Sequence, residues 1–134
     1  MAASYAIYHG PEGLKNISGR IHALASTARA KLASQGLKVS EGAFFDTFTV
    51  HGVDAAGVQA KAAQLGVNVR VVSADTVGIA CGEAHTTADV VALLGAFGVD
   101  SSEAALEALA ETVRVCVCLL VCILTSVGSL WWLC

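Results

Sequence analysis

The sequence predicts an α/β (α+β) domain in which one long helix precedes a β-α-β-β-α order with a mixed sheet, followed by an apolar C-terminal tail. Three observations predict it. The apolar residues recur with a helical period between Pro11 and about Gln35, the period falls to two from Phe44 onward, and glycines or short polar clusters stand where it changes.

Pro11 suits a first helical position, Glu12 favours the positive end of the helix dipole, and Gly36 offers a stop. Between them Leu14, Ile17, Ile21, Leu24, Ala28 and Leu32 recur at three- and four-residue steps and share one face. Lys15, Arg20, Arg29 and Lys31 then fall on the solvated side and flanks. Phe44 to Val50 alternates, with Phe44, Asp46, Phe48 and Val50 on one side, and is rich in aromatic and β-branched types, which predicts a strand. Asp54 can cap a helix that aligns Val58, Ala62 and Leu65 and closes at Gly66. Val67 to Val72 and Thr76 to Cys81 read as a second and third strand, joined through Ser73, Ala74 and Asp75 as a three-residue hairpin connection. Thr86 with Asp89 forms a capping-box pattern ahead of Val90, Leu93, Leu94 and Phe97, and Gly98 ends that helix. A final helix is expected from Ser101 or Ser102, with Leu106 and Leu109 inward. The helices should cover one face of the sheet, and the β-α-β step should be right-handed.

A length of 134 residues suits one domain and is too short for a complete two-domain cofactor enzyme. With 8 basic and 11 acidic residues, the net charge of −3 provides no extended cationic surface for nucleic acid or an anionic membrane. Hydrophobic residues make up 55% of the chain, and much of that excess sits after Val113. The mean hydropathy of +0.66 follows from it. Cysteine is skewed the same way: Cys81 lies in the body, whereas Cys116, Cys118, Cys122 and Cys134 fall in the apolar stretch. A secreted disulfide framework would spread its cysteines over polar loops, so the body reads as intracellular and reduced. Met1 to Tyr8 has neither the pattern of a secretory signal nor that of a mitochondrial import segment.

Few residues invite a chemical reading. His9, His22, His51 and His85 are scattered without metal-ligand spacing, and no nucleophile-elbow, Walker or dinucleotide-binding glycine pattern occurs. Free N–H groups at the helix start near Pro11 can attract an anion, although an ordinary turn into a helix explains the same residues. Asp46 is either a catalytic carboxylate or a polar residue alternating out of a sheet face. Cys81 would be nucleophilic only beside a base or cation that the local sequence does not supply, and reads as a buried structural thiol. Three thiols at Cys116, Cys118 and Cys122 lie among Val, Leu and Ile, where ionised sulfur is costly without a metal.

Four blocks carry a family resemblance. MAASYAIYHGPEG at Met1 to Gly13, FFDT at Phe44 to Thr47, DTVGI at Asp75 to Ile79 and FGVDSS at Phe97 to Ser102 stand in one order along Met1 to about Glu111. Together they resemble the end of the N-terminal half of the glycine cleavage system P-protein family, the glycine dehydrogenases (decarboxylating). The resemblance implies the small C-terminal-type domain of a fold-type I pyridoxal-phosphate enzyme, which packs on a larger cofactor domain. It also implies an oxidoreductase that decarboxylates glycine and passes the aminomethyl group to the lipoyl arm of H-protein, with the cofactor as electron sink. The implied partners are the remainder of the P-protein and lipoylated H-protein. The implied location is the mitochondrial matrix in a eukaryote or the cytoplasm in a bacterium.

Against that family pattern the large domain and the Schiff-base lysine, which lies beside a histidine in the second half, are expected to be missing. Lys15, Lys31, Lys38 and Lys61 have no such neighbours. No catalytic, cofactor-binding or metal residue is therefore carried over, and no cofactor is expected on this chain alone. The expected division is a P-protein-like domain over residues 1–111 and an apolar, cysteine-rich tail over residues 112–134 that does not match the family. Apart from Arg114 the tail from Val113 is uncharged; Val115 to Cys134 is about long enough to span a hydrocarbon core, with Trp131 and Trp132 suited to an interface. Unspliced or out-of-frame sequence, or a truncated gene model, is the favoured explanation of the tail over a genuine anchor. The competing readings are a non-catalytic interaction module and a tail-anchored membrane protein with an α/β head.

Overall fold

The computed structural model describes residues 2–104 and 106–108, and within them three helices pack on a four-stranded sheet. The elements in order are α1 (Ala2–Ser34), β1 (Lys38–Val39), β2 (Thr47–His51), α2 (Ala55–Gln64), β3 (Arg70–Ser73), β4 (Thr76–Ala80) and α3 (Thr87–Ala96). Residues 103–104 and 106–108 are also helical, and Leu106 is buried as expected. Leu109, the four tail cysteines and the whole stretch from Val113 to Cys134 lie outside the described residues.

The long helix is present, and its apolar stripe buries Leu24, Ala28 and Leu32 together with Ala25 and Thr27. It starts nine residues earlier than the periodicity predicts, because a helical arm precedes the expected start. Gly10 (φ 64, ψ 178) separates that arm from the body of α1 in a backbone conformation open essentially to glycine alone. Pro11 then opens the second segment with a φ already suited to it and no N–H to leave unpaired.

The strand order is β1-β2-β4-β3, and each neighbouring pair is antiparallel. The expected mixed sheet is therefore corrected to an antiparallel one. β2 and β3 do run in the same direction, as a β-α-β step requires, but β4 lies between them and pairs with both. Phe48 and Val50 of β2 register with Ile79 and Val77 of β4, and all four are buried against the helices. Thr47, Thr49 and His51 point to the opposite face, as the alternation dictates.

The first long strand begins at Thr47 and not at Phe44. Phe44 and Phe45 instead fold back on α1: the Arg29 guanidinium lies 4.7 Å above the Phe44 ring, and the His22 ring stacks on Phe45 at 5.8 Å. His22 Nδ1 is also 2.7 Å from the Phe45 carbonyl oxygen. These contacts draw the pair out of the sheet. β1, which follows the turn at Gly36, is too short for periodicity to announce. β3 starts at Arg70, later than expected, and β4 ends one residue before Cys81, whose N–H still donates to the Asp46 carbonyl at 2.9 Å. Ser73 pairs with Thr76, so Ala74 and Asp75 alone link the strands, and a register shift between Val71 and Ser73 absorbs the extra residue.

The helix starts differ in how they are satisfied. Thr86 and Asp89 form the expected capping box at α3, with the Thr86 N–H donating to Asp89 Oδ2 at 2.7 Å. Asp54 occupies the N-cap position of α2 but makes no side-chain cap bond. The Ala55 N–H donates to the Ala74 carbonyl at 3.1 Å, so the β3–β4 turn does the capping from across the fold. Val90, Leu93 and Leu94 are buried as predicted, whereas Leu65, the C-cap of α2, is 51% exposed.

Candidate functional site

Two places bring polar or reactive groups together, and pairing of distant segments builds both. The first is a cavity of about 270 Å³ between the end of β4, α3 and the loop from α2 to β3. Ile79, Val90 and Leu93 form its apolar floor, and Asn68, His85 and Asp89 stand at its lining. Cys81 also faces it. In size it falls just under the range usual for small-molecule sites.

Its polar groups are committed to holding the loop from Gly82 to Asp89. The Gly82 N–H lies 2.7 Å from His85 Nδ1, a bond that closes the turn from Gly82 to His85. Asp89 Oδ2 accepts from the N–H and the hydroxyl of Thr86. Those bonds hold the Asp89 carboxyl below the usual carboxylate range, with a smaller attraction from His85. The cap is therefore at full strength above that range and is lost as pH falls through the depressed value. Arg20 of α1 donates to the His85 carbonyl at 2.7 Å, and Tyr5 donates to Glu83 Oε2 at 2.6 Å, so the loop is also pinned to the long helix.

Cys81 supplies no nucleophile. Burial, followed by the negative charge of Asp46, pushes its thiol up from 9.0 to about 11. Near neutral pH that lowers the thiolate fraction about a hundredfold. The neutral thiol's contribution to stability is present below about pH 9 and is lost as pH rises towards 11. At pH 8 we expect iodoacetamide to spare Cys81 in the native chain and to modify it once urea unfolds the domain, with peptide mass spectrometry assigning the site. Rapid native labelling at Cys81 would contradict this reading of its surroundings.

The second place is a chain of hydroxyls and one imidazole on the face of the sheet away from the helices. Thr49 Oγ1 lies 3.0 Å from His51 Nε2, and His51 Nδ1 lies 3.3 Å from Thr76 Oγ1. The Thr76 hydroxyl donates to Asp75 Oδ1 at 3.0 Å, and Ser73 donates to the same oxygen at 2.7 Å. The Ser73 bond, then that of Thr76, holds the Asp75 carboxyl below its usual range, with His51 adding attraction. With the Thr76 hydroxyl donating to Asp75, His51 Nδ1 donates to Thr76, and these contacts tie β2, β4 and the hairpin turn together. All of their donors end within the chain, so their evident role is to fix that end of the sheet.

The remaining residues singled out from sequence stay apart. His9 packs on the Tyr5 ring at 4.3 Å, His22 lies against Phe44 and Phe45, and among the described residues no group of three His, Cys, Asp or Glu side chains can hold a metal. Asp46 accepts from the Thr47 hydroxyl at 3.0 Å just ahead of β2. Lys15 pairs with Glu12 at 2.9 Å with its side chain 72% exposed, Lys38 and Lys61 are exposed, and Lys31 is half-buried in the last turn of α1. None of these lysines lines the cavity. Asn68 and the pairing of His51 with Thr76 were not anticipated; the polar face opposite Phe48 and Val50 was the one local signal for the latter.

Residues 1–97 match the family model described as glycine cleavage system P-protein. The chain is 47% identical over 108 residues to the glycine dehydrogenase (decarboxylating) of Stenotrophomonas maltophilia strain K279a, covering 81% of this chain and 11% of that protein. It is 45% identical over 108 residues to the enzyme of that name from Xanthomonas euvesicatoria pv. vesicatoria, with the same two coverages. With the protein of that name from Xylella fastidiosa it shares 43% identity over 109 residues. The chain thus spans about 11% of the length of the curated relatives it matches. Among the described residues no helix is long and apolar enough to cross a membrane.

Proposed function

Because the chain belongs to the glycine cleavage system P-protein family, we propose that it serves as a structural segment of a glycine-decarboxylating enzyme and holds none of the reacting groups itself. The observation that carries this reading is the match over 81% of the chain to proteins of which it makes up 11%. The family implies pyridoxal phosphate, which when bound supplies an electron sink for the carbanion left by decarboxylation. The described residues do not fit that group: Lys15, Lys38 and Lys61 are exposed, Lys31 lies in the last turn of α1, and the cavity is lined by neither lysine nor arginine that could hold a phosphate. Cofactor, glycine and the lipoyl arm of H-protein would therefore be handled by other parts of the protein.

On this reading the chain's own work is to present rigid surfaces. The capping box, the Tyr5 and Arg20 ties and the Thr49–His51–Thr76–Asp75 chain all fix loops and strand ends without offering an open catalytic group. The division into a family domain over residues 1–111 and a tail over residues 112–134 belongs to the same proposal, with the family match over residues 1–97 as the ground for its first part. The expected location is that of the parent: cytoplasm in a bacterium, mitochondrial matrix in a eukaryote.

The test is a chimera in which the matched segment of the Stenotrophomonas maltophilia enzyme is replaced by the corresponding residues of this chain. With H-protein and cofactor present, it should release carbon dioxide from labelled glycine at a rate of the same order as the unaltered enzyme. A chimera that folds, binds cofactor and lacks this activity would remove the reading.

A further inference from the structure

Two ties hold the loop that follows β4 to the long helix, and they differ in what stands behind them. Arg20, which donates to the His85 carbonyl at 2.7 Å, rises from the body of α1 just ahead of the buried run Ala23, Leu24 and Ala25. Its backbone is therefore fixed by the core. Tyr5, which donates to Glu83 Oε2 at 2.6 Å, stands on the arm ahead of Gly10, where every residue from Ala2 to Tyr8 is exposed. The buried residues of α1 begin at Ala23, so no core contact steadies the arm, and a helix of this length is marginal without outside support.

Gly10 separates arm from body. Its φ of 64 with ψ of 178 belongs essentially to glycine, and nothing stands within 4 Å of the place a Cβ would take. Gly13 accommodates the arm in its present position, since a Cβ there would lie 3.1 Å from the His9 Cβ. Tyr5 and Tyr8 both pack on the His9 ring within the arm, at 4.3 and 4.9 Å, so the arm moves as one piece about Gly10.

The loop that Tyr5 fastens is a wall of the cavity. His85 lines it, and Cys81, 7% exposed, lies at the root of the loop. The turn is closed on itself, because the His85 N–H donates to the Gly82 carbonyl at 3.2 Å and the Gly82 N–H meets the His85 ring. Glu83 sits inside that turn, so a hold on Glu83 is a hold on the whole turn.

We propose that the arm of α1 is a strap: pivoting at Gly10 and fastened through Tyr5 to Glu83, it closes the loop from Gly82 to Thr86 over the cavity and Cys81, and its release opens both. The device rests on contacts within this chain and does not depend on the role proposed above. Its coupling is reciprocal, so what holds the arm protects the loop and what holds the loop orders the arm.

Native-state hydrogen exchange on the full chain tests this, together with iodoacetamide modification of Cys81 assigned by peptide mapping. Tyr5→Phe keeps the ring and removes the donor. It should speed exchange at the amides of residues 2–9 and 82–86 by about fivefold and raise the native modification rate of Cys81 by about the same factor. Glu83→Ala should reproduce both effects, and the double variant should exceed neither single one, because one fastening is lost in all three. Gly10→Ala, which disfavours the backbone conformation at the pivot, should open the loop with Tyr5 and Glu83 intact. The amides of Val77 and Ile79 in β4 should keep their original rates throughout. Unchanged loop exchange and Cys81 modification in Tyr5→Phe overturn the proposal. Additive effects of Tyr5→Phe and Glu83→Ala overturn it as well, and so does a rise at Val77 and Ile79 equal to that of the loop, which would make the contact part of the global fold.

Discussion

Truncating Leu94 to alanine is expected to cost the domain about 3 kcal/mol, because a fully buried leucine leaves a cavity that its neighbours refill only in part. Leu94 is 0% exposed and belongs to the cluster that joins α1, the sheet and α3. In a domain of this size that loss lowers the thermal midpoint by on the order of 15 °C. Leu65→Ala is the matched comparison. Both leucines fall on the apolar stripe of a helix when the sequence is read alone, yet Leu65 is 51% exposed, so its truncation should stay within about 0.5 kcal/mol. Urea unfolding followed by far-ultraviolet circular dichroism separates the two. Equal losses for both variants would mean that Leu65 is buried at the end of α2, and no loss at Leu94 would remove α3 from the core.

That pair also shows how far local pattern reaches. Periodicity locates α1, α2 and α3 and the buried sides of β2 and β4, because each of those signals lies within one turn or one strand. The Thr86–Asp89 capping box was legible for the same reason: its two residues are three apart and satisfy one another. What pattern could not locate depends on contacts made across the chain. Phe44 and Phe45 alternate like strand residues, but His22 and Arg29, some twenty and fifteen residues earlier, draw them onto α1. Asp54 stands where a cap belongs, yet the Ala74 carbonyl bonds the first free N–H of α2. The insertion of β4 between β2 and β3 turns an expected mixed sheet into an antiparallel one, and no residue within those strands announces the order.

The candidate sites divide along the same line. Cys81 reads as a structural thiol from its apolar strand, and its raised pKa agrees. The cavity beside it draws on the loop after α2, the end of β4 and the first turns of α3, so Asn68, His85 and Asp89 share it only once the sheet has formed. His51 likewise meets Thr76 only because β2 and β4 pair in one register. Scattered histidines in a sequence therefore carry little chemistry until strand pairing is known. Family resemblance fills a different gap, since the blocks at Met1 to Gly13 and Phe97 to Ser102 indicate a parent enzyme without indicating any reacting residue.

The isolated chain is expected to form no stoichiometric adduct with pyridoxal phosphate at a single lysine. A Schiff base needs a neutral amine, which enzymes obtain by desolvating the lysine or by placing a second cation beside it. Lys15 has the reverse, a carboxylate at 2.9 Å in an exposed pair, and Lys38 and Lys61 stand in solvent. Lys31 is half-buried in the last turn of α1, and among the described residues no second cation is recorded beside it. Position works against the reaction as well, since none of the four faces the cavity and none is held at a distance that a bound aldehyde would share with a phosphate cradle. Any modification should therefore be spread over several lysines and be reversed by dialysis. The measurement is incubation with the cofactor, borohydride reduction and peptide mapping, run beside the active chimera, which should give one stoichiometric adduct at a lysine outside the exchanged segment. A single stoichiometric adduct in the isolated chain, accompanied by carbon dioxide release from glycine above the buffer rate, would show that these residues carry the chemistry on their own and would displace the structural role proposed for them.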